Sequence, residues 1–115
     1  MASPEDSFEE LAHLDKVIHE PARLAVVSAL STCDGADFTY LQHVTDLSKG
    51  NLSAHLSTLE EASIVVISKG FAGRRPKTWV SLTAAGRTLV EEYWETMDRW
   101  YAALRSQRIE RIEGS

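Results

Sequence analysis

A segment near the middle of the sequence concentrates side chains that can donate and accept hydrogen bonds. Within residues 48–58 they are Ser48, Lys49, Asn51, Ser53, His55 and Thr58. The next carboxylate along the chain is Glu60, although the sequence contains 17 acidic residues. A surface of this kind can form hydrogen bonds with base edges in a duplex groove, and it lacks the negative charge that would repel phosphate.

Helical periodicity predicts how these polar residues are presented. Three leucines recur at helical spacing and predict a helix from residue 49 to about residue 62: Leu52, Leu56 and Leu59. Ser48 is the predicted N-cap of this helix. Leu47 precedes the cap, at the spacing that forms a hydrophobic staple with Leu52. The leucines therefore hold one face against the protein and leave the polar face exposed.

The segment before this helix completes a helix-turn-helix pattern. Thr39 and Gln42 have capping-box spacing and predict a short helix. Asp46 and Leu47 then predict a tight turn into the helix that Ser48 caps. In a helix-turn-helix unit the second helix enters the major groove, and we call this second helix the recognition helix.

Four basic residues follow the recognition helix: Lys69, Arg74, Arg75 and Lys77. The β-branched run at 64–67 predicts a strand, 70–76 a turn-rich loop and the alternation at 78–82 a returning strand. Basic hairpin tips can contact phosphates or enter a narrow minor groove. Plain solubilisation is the alternative, but residues 62–90 contain no acid to accompany these cations.

The net charge of −5 would by itself argue against a nucleic-acid partner, but the charge is segregated. The balance is −7 over residues 1–47, +4 over 48–88 and −2 over 89–115. The N-terminus does not resemble a secretory signal, and the apolar runs are shorter than the roughly 18 residues of a membrane span. Together with the single cysteine, Cys33, these features predict a cytoplasmic protein with no membrane partner.

The remaining elements predict a mainly α protein with a small β-hairpin, in the order α-α-α-α-β-β-α. A first helix is expected from Ser3 to about Ile18, a second over 21–31, a polar linker over 32–37, and a long last helix from Ala84 to about residue 108 with Thr83 as its cap. Residues 1–88 are the predicted winged-helix domain with an N-terminal dimerisation helix. Residues 89–115 are the predicted dimerisation helix and tail.

Residues 14–90 resemble winged helix-turn-helix regulators of the MarR/ArsR class. The resemblance rests on Leu24–Leu30, on Ser48–Glu60 with its Leu-Ser-Ala-His-Leu core, and on Gly73–Arg87 with the run Ser-Leu-Thr-Ala-Ala-Gly-Arg. It implies a dimeric repressor or activator that binds a pseudo-palindromic site in double-stranded DNA, and we expect a repressor. It places Lys49, Asn51, Ser53, Ala54 and His55 nearest the bases, and Arg74 and Arg75 nearest the backbone.

The predicted DNA-binding set also includes Ser48, Thr58, Lys69 and Lys77. His55 lies at the edge of the leucine stripe. A half-buried structural role and a DNA contact therefore both stay open for this residue.

The last helix carries a wide apolar seam. Seven residues form it: Val90, Tyr93, Trp94, Met97, Trp100, Tyr101 and Leu104. Packing on the protein's own body is one interpretation, but the helix is long enough to extend beyond that body. The seam therefore predicts a homodimer, with Phe8, Leu11 and Leu14 of the first helix packing alongside. A pocket beside Tyr93 and Trp94 is a candidate site for an aromatic effector.

Catalytic and metal-binding patterns are lacking in the sequence. No phosphate-binding glycine loop is present, and Ser53 and His55 lie two residues apart on a helix and face different directions. Cys33 has no partner for a Cys-x-Cys pair, so no metal and no cofactor is predicted, while a redox role for Cys33 stays open. The main alternative is a winged helix used as a protein-interaction module, and the positive charge of residues 48–88 favours DNA instead.

Overall fold

A computed structural model describes residues 14–106, together with Glu9 and Ala12. Within these residues the elements are α1 (Pro21–Leu30), β1 (Ala36–Asp37), α2 (Phe38–Thr45), α3 (Lys49–Glu61), β2 (Val65–Ala72), β3 (Arg75–Leu82) and α4 (Ala84–Ser106). The predicted order from the second helix onward is confirmed, with β1 added. No helix in this part of the chain is long and apolar enough to cross a membrane.

Side-chain caps fix where the recognition helix α3 and the last helix α4 begin. The Ser48 hydroxyl accepts a hydrogen bond from the Asn51 amide at 3.1 Å. The Thr83 hydroxyl accepts one from the Gly86 amide at 2.8 Å. Each cap satisfies an amide that has no partner within its own helix. Both predicted caps are confirmed.

Pro21 is the first residue of α1, where a proline loses no helical hydrogen bond. Glu20 caps this helix, and its carboxylate accepts hydrogen bonds from the amides of Ala22 and Arg23 at 3.2 and 2.8 Å. The hydrogen bond from the Arg23 amide holds the pKa of Glu20 below its ordinary value.

The three strands form one antiparallel sheet in the order β1-β3-β2. In the hairpin, Val65 lies opposite Leu82, and the register continues to the pair Ala72 and Arg75. Gly73 has a φ of 65° in the two-residue turn between the strands, a conformation that favours glycine. The strands therefore extend through much of the region predicted as a loop, and the prediction of a loop over 70–76 is wrong except at the turn itself.

One hydrophobic core joins the helices to the sheet. Its fully buried side chains are Ile18, Val26, Val27, Leu30, Leu41, Leu52, Leu59, Val80 and Val90. The predicted leucine stripe of α3 is confirmed, since Leu56 is also buried. This core holds α3 on its apolar side, so the opposite side of that helix faces solvent.

The predicted first helix does not continue to Ile18. Glu9 and Ala12 are helical, but the chain forms turns between Leu14 and Glu20. The Asp15 carboxylate accepts a hydrogen bond from the Val17 amide at 2.8 Å, which offers the backbone an alternative to the helical pattern. Phe8 and Leu11 lie outside the described residues.

The start of α2 also differs from the prediction. Asp37, the last residue of β1, is the cap, and its carboxylate accepts a hydrogen bond from the Tyr40 amide at 2.7 Å. Thr39 lies inside the helix and is exposed. The linker predicted over 32–37 therefore ends in a strand, because Ala36 and Asp37 pair with Val80 and Trp79 of β3.

Candidate nucleic-acid interface

The outer face of α3 is open to solvent. Its exposed residues include Lys49, Asn51, Ser53 and Ala54, all predicted to contact DNA. Ser48 is exposed at the cap, and Thr58, further along, is half-buried with its hydroxyl donating to the Ala54 carbonyl at 3.3 Å. The helix therefore presents its N-terminal half as a protruding polar surface, which is what insertion into a major groove requires.

A cleft of about 1110 Å³ separates α3 from the hairpin, and we call it the helix–wing cleft. Four cations line it: Lys49 from the recognition helix, and Lys69, Arg75 and Lys77 from the hairpin. Positive charges converge here from two consecutive elements, the recognition helix and the hairpin. A cleft lined in this way can hold one phosphate backbone between the helix and the hairpin.

One of the four cations is partly neutralised inside the protein. The Lys77 ammonium lies 3.3 Å from the Asp37 carboxylate. The hydrogen bond from the Tyr40 amide, with Lys77 beside it, holds the pKa of Asp37 below its ordinary value. Lys77 therefore connects the hairpin to the start of α2, and Lys49, Lys69 and Arg75 carry more of the cleft's net charge.

His55 lies at the contact between the recognition helix and α1. Its Nδ1 is 3.2 Å from the Arg23 guanidinium and 3.7 Å from the Glu20 carboxylate. Arg23 in turn donates through Nε to the Val17 carbonyl. These contacts favour the structural interpretation of His55, in which the side chain orients α3 on the body of the protein.

Arg74 occupies the turn of the hairpin and is exposed, as are Lys69 and Arg75. Arg74 does not line the helix–wing cleft, whereas Arg75 does. The two adjacent arginines therefore differ in position relative to the cleft.

The α4 seam residues divide into two groups along the helix. Val90 and Tyr93 are buried in the core, and Met97 packs against it. Tyr101 and Leu104 are exposed, and Trp100 is half-buried. The predicted seam thus belongs to the protein's own core over its first half only.

Tyr93 and Trp94 do not share the pocket that the sequence suggested. A cavity of about 210 Å³ lies between residues 14–18 and α4, where Leu14 and Tyr93 line it. Burial raises the pKa of Tyr93, whose hydroxyl lies 3.0 Å from Nδ1 of His19. Trp94 points elsewhere, and its indole donates to the Ser28 hydroxyl at 3.1 Å.

Sequence reasoning missed four polar residues that line the helix–wing cleft: Thr39, Gln42, Ser57 and Thr78. Ser57 lies four residues after Ser53, so helical spacing could have identified it. The capping-box interpretation gives Thr39 and Gln42 a role within their own helix, so it does not suggest that they contact DNA. Because Asp37 takes the capping role, both residues can face the cleft.

A family model for the winged helix DNA-binding domain matches residues 22–101. The chain belongs to this winged-helix DNA-binding family. The match spans α1 to most of α4 and so includes both the recognition helix and the hairpin, which is the wing of such domains. Family membership and regulator neighbours identify a DNA-binding protein rather than an enzyme.

Three winged-helix relatives illustrate the similarity. An uncharacterized protein of Methanocaldococcus jannaschii is 31% identical over 78 residues, covering 68% of this chain and 85% of that protein. The transcriptional regulator homologue of Pyrococcus horikoshii OT3 has a TM-score of 0.79 at 27% identity, over 86% of this chain and 97% of that chain. A MarR-family regulator from Silicibacter pomeroyi shares the fold, with a TM-score of 0.61 at 20% identity over 92% and 68% of the respective chains. The predicted resemblance to MarR-like winged-helix regulators is therefore confirmed.

Proposed function

We propose that the protein is a transcriptional repressor that binds a pseudo-palindromic site in double-stranded DNA as a homodimer. The observation that carries the proposal is the helix–wing cleft, where Lys49 of the recognition helix faces Lys69 and Arg75 of the wing. In this proposal a phosphate backbone lies in the cleft while the N-terminal half of α3 enters the major groove. Asn51, Ser53 and Ala54 then lie nearest the base edges.

The charge of the cleft favours DNA over a protein partner. No acidic residue occurs between positions 62 and 90, a stretch that contains the whole wing. The two carboxylates that line the cleft are Asp37, which is paired with Lys77, and Glu60, near the end of α3. A winged helix that bound a protein would have no comparable reason to collect unpaired cations on this side.

Exposure along α4 supports the homodimer. Beyond Thr96, no residue in the described part of this helix is fully buried. Tyr101 is 59% exposed and Leu104 37% exposed, on the face that begins in the core with Val90. A second copy of the helix would cover this apolar surface and place two recognition helices in successive major grooves, about 34–36 Å apart. Residues 1–88 and 89–115 would then serve as the DNA-binding and dimerisation parts.

The cavity beside Tyr93 is where we place the predicted small-molecule effector. At about 210 Å³ it is smaller than common ligand pockets, which occupy roughly 300–1,000 Å³, so it suits a single aromatic ring. Its position between α4 and residues 14–18 would let a ligand change the angle between the dimer helix and the body.

Selection from random duplex DNA at stated salt tests the function directly. The expected result is a two-fold symmetric consensus whose half-sites lie one helical turn apart. Transcription of a template carrying that site over a promoter should fall when the protein is added. Recovery of no sequence above background, with no salt-dependent binding to duplex, would contradict the proposal and favour the protein-interaction module.

Replacing either wing arginine by alanine should weaken binding to every duplex sequence to a similar extent. Arg74→Ala and Arg75→Ala should each lower the slope of log affinity against log salt by about one unit, because each removes one phosphate contact. Titrations at four or more salt concentrations measure the slope. Lys16→Ala is the matched control, since Lys16 is an exposed cation outside the cleft and its removal should leave the slope unchanged. If the slope is unaltered in both arginine variants, the wing does not contact the phosphate backbone.

A further inference from the structure

Phe71 is the most exposed large hydrophobic side chain among residues 14–106. It is 76% exposed, against 59% for Tyr101 and less than half for the aromatic side chains of Tyr40, Trp79 and Trp94. Its position on β2, opposite Pro76, is close to the end of the hairpin. A side chain with so little contact contributes little to the stability of the fold, so its ring is available to a partner.

Strand alternation places Phe71 on a defined face of the wing. Residues two apart on a strand share a face, so Phe71 lies on the same face of β2 as Ile67 and Lys69. Both of those residues line the helix–wing cleft. Phe71 therefore shares the face of Lys69 by alternation, but it does not itself line the cleft and lies beyond it, toward the turn.

The surroundings of Phe71 are cationic and uncrowded. Lys69 precedes it by two residues on the same face of β2, Arg74 occupies the turn, and Arg75 lies opposite the adjacent Ala72. A Cβ added at Gly70 or Gly73 would meet nothing within 4 Å, so no other part of the described chain covers this end of the wing. An apolar ring held among cations with open space around it complements a duplex, where phosphates flank stacked bases.

We propose that Phe71 is an apolar wedge that enters the minor groove next to the recognition-helix site and partly unstacks one base step. This inference rests on the proposed DNA-binding function. Apolar side chains that enter the minor groove unstack a step and kink the duplex by about 20–90° toward the major groove. Pyrimidine–purine steps such as TA open most easily, so Phe71 confers a preference for such a step at a position that the recognition helix does not contact.

The test uses the duplex recovered by selection in two forms. A set of longer fragments with the site at permuted positions measures the bend angle, and an end-labelled short duplex measures the affinity. Phe71→Ala should bind about ten-fold more weakly and lose most of the bend, while its salt slope stays at the wild-type value because no cation has been removed. Phe71→Leu, which keeps an apolar wedge, should retain most of the bend. Replacing the flexible step by an A-tract should abolish the difference between Phe71→Ala and wild type.

Val66→Ala is the matched control. Val66 lies on the same strand, is 49% exposed, and occupies the alternate face, so its truncation should leave affinity and bend angle unchanged. Thermal unfolding of Phe71→Ala should match wild type, because the side chain is mostly in solvent.

Equal affinity and equal bend angle for wild type and Phe71→Ala would overturn the wedge while leaving DNA binding intact. Weaker binding with an unchanged bend angle would also overturn it. A protein partner that is lost on Phe71→Ala, with DNA bending retained, would assign the side chain to that partner instead. Absence of duplex binding by the wild-type protein would refute the proposed function and the wedge together.

Discussion

Leu104→Glu is expected to convert the proposed homodimer into monomers and to weaken binding to a symmetric two-half-site duplex by about 10²–10⁴-fold. The loss is large because binding of the second half-site changes from an intramolecular step into a separate bimolecular one. Leu104 is partly exposed and lies beyond the last fully buried residue of α4, so a carboxylate there leaves the monomer's own core intact. Sedimentation measures the oligomeric state, and titration of one-half-site and two-half-site duplexes measures the affinities.

The one-half-site duplex provides an internal check, since the monomer should bind it as the wild-type protein does. Ala102→Glu is the matched variant: Ala102 is exposed and lies about 160° around the helix from Leu104, so it should keep the dimer. If the Leu104→Glu protein sediments as a dimer, the interface lies elsewhere. If the wild-type protein sediments as a monomer, the homodimer is refuted.

Gly86→Ala is expected to lower the free energy of unfolding by about 3 kcal/mol. A Cβ at this position would lie 2.1 Å from the Ile64 carbonyl oxygen. That carbonyl cannot move away cheaply, because it accepts hydrogen bonds from the Thr83 amide at 2.9 Å and from the Thr83 hydroxyl at 3.2 Å. The substitution must therefore displace the start of α4 from the start of β2 or break these bonds.

Urea unfolding at one fixed protein concentration measures the difference, since the stability of a dimer depends on concentration. Gly50→Ala is the matched control, because Gly50 is also helical and a Cβ there would meet nothing within 4 Å. It should unfold with an unchanged or higher free energy, by at most about 1 kcal/mol. Equal stabilities for the two alanine variants would mean that α4 adjusts to the larger residue at no cost.

Local sequence features, namely a capping residue and the spacing of apolar residues, predicted the recognition helix correctly. Ser48 caps α3, and the leucines at positions 52, 56 and 59 are buried as their spacing requires. β1 was missed because two residues carry no periodicity, and the strand exists only through pairing with β3. The same pairing makes Asp37 rather than Thr39 the cap of α2, so tertiary contact decided between two local alternatives.

Residue types also predicted which cations lie near the recognition helix, but not which of them form contacts within the protein. The convergence of Lys49 with Arg75 could be expected from the fold, because the wing follows α3 directly. The pairing of Lys77 with Asp37 spans 40 positions, and the contact of His55 with Arg23 spans 32. Neither pairing leaves a pattern in the sequence. The structure is therefore needed to separate cations that are open to solvent from those partly neutralised by the protein.

The direct passage of β1 into α2 links the wing to the helix-turn-helix unit. β1 is hydrogen-bonded to β3, and its last residue, Asp37, is the cap of α2 and the ion-pair partner of Lys77. We therefore expect the span from the wing's arginines to the tip of α3 to change little when nucleic acid binds. A B-form major groove is wide enough for a helix to enter, whereas that of A-form RNA is deep and narrow. If α3 enters a major groove as proposed, we expect the protein to bind duplex DNA in preference to double-stranded RNA of the same sequence.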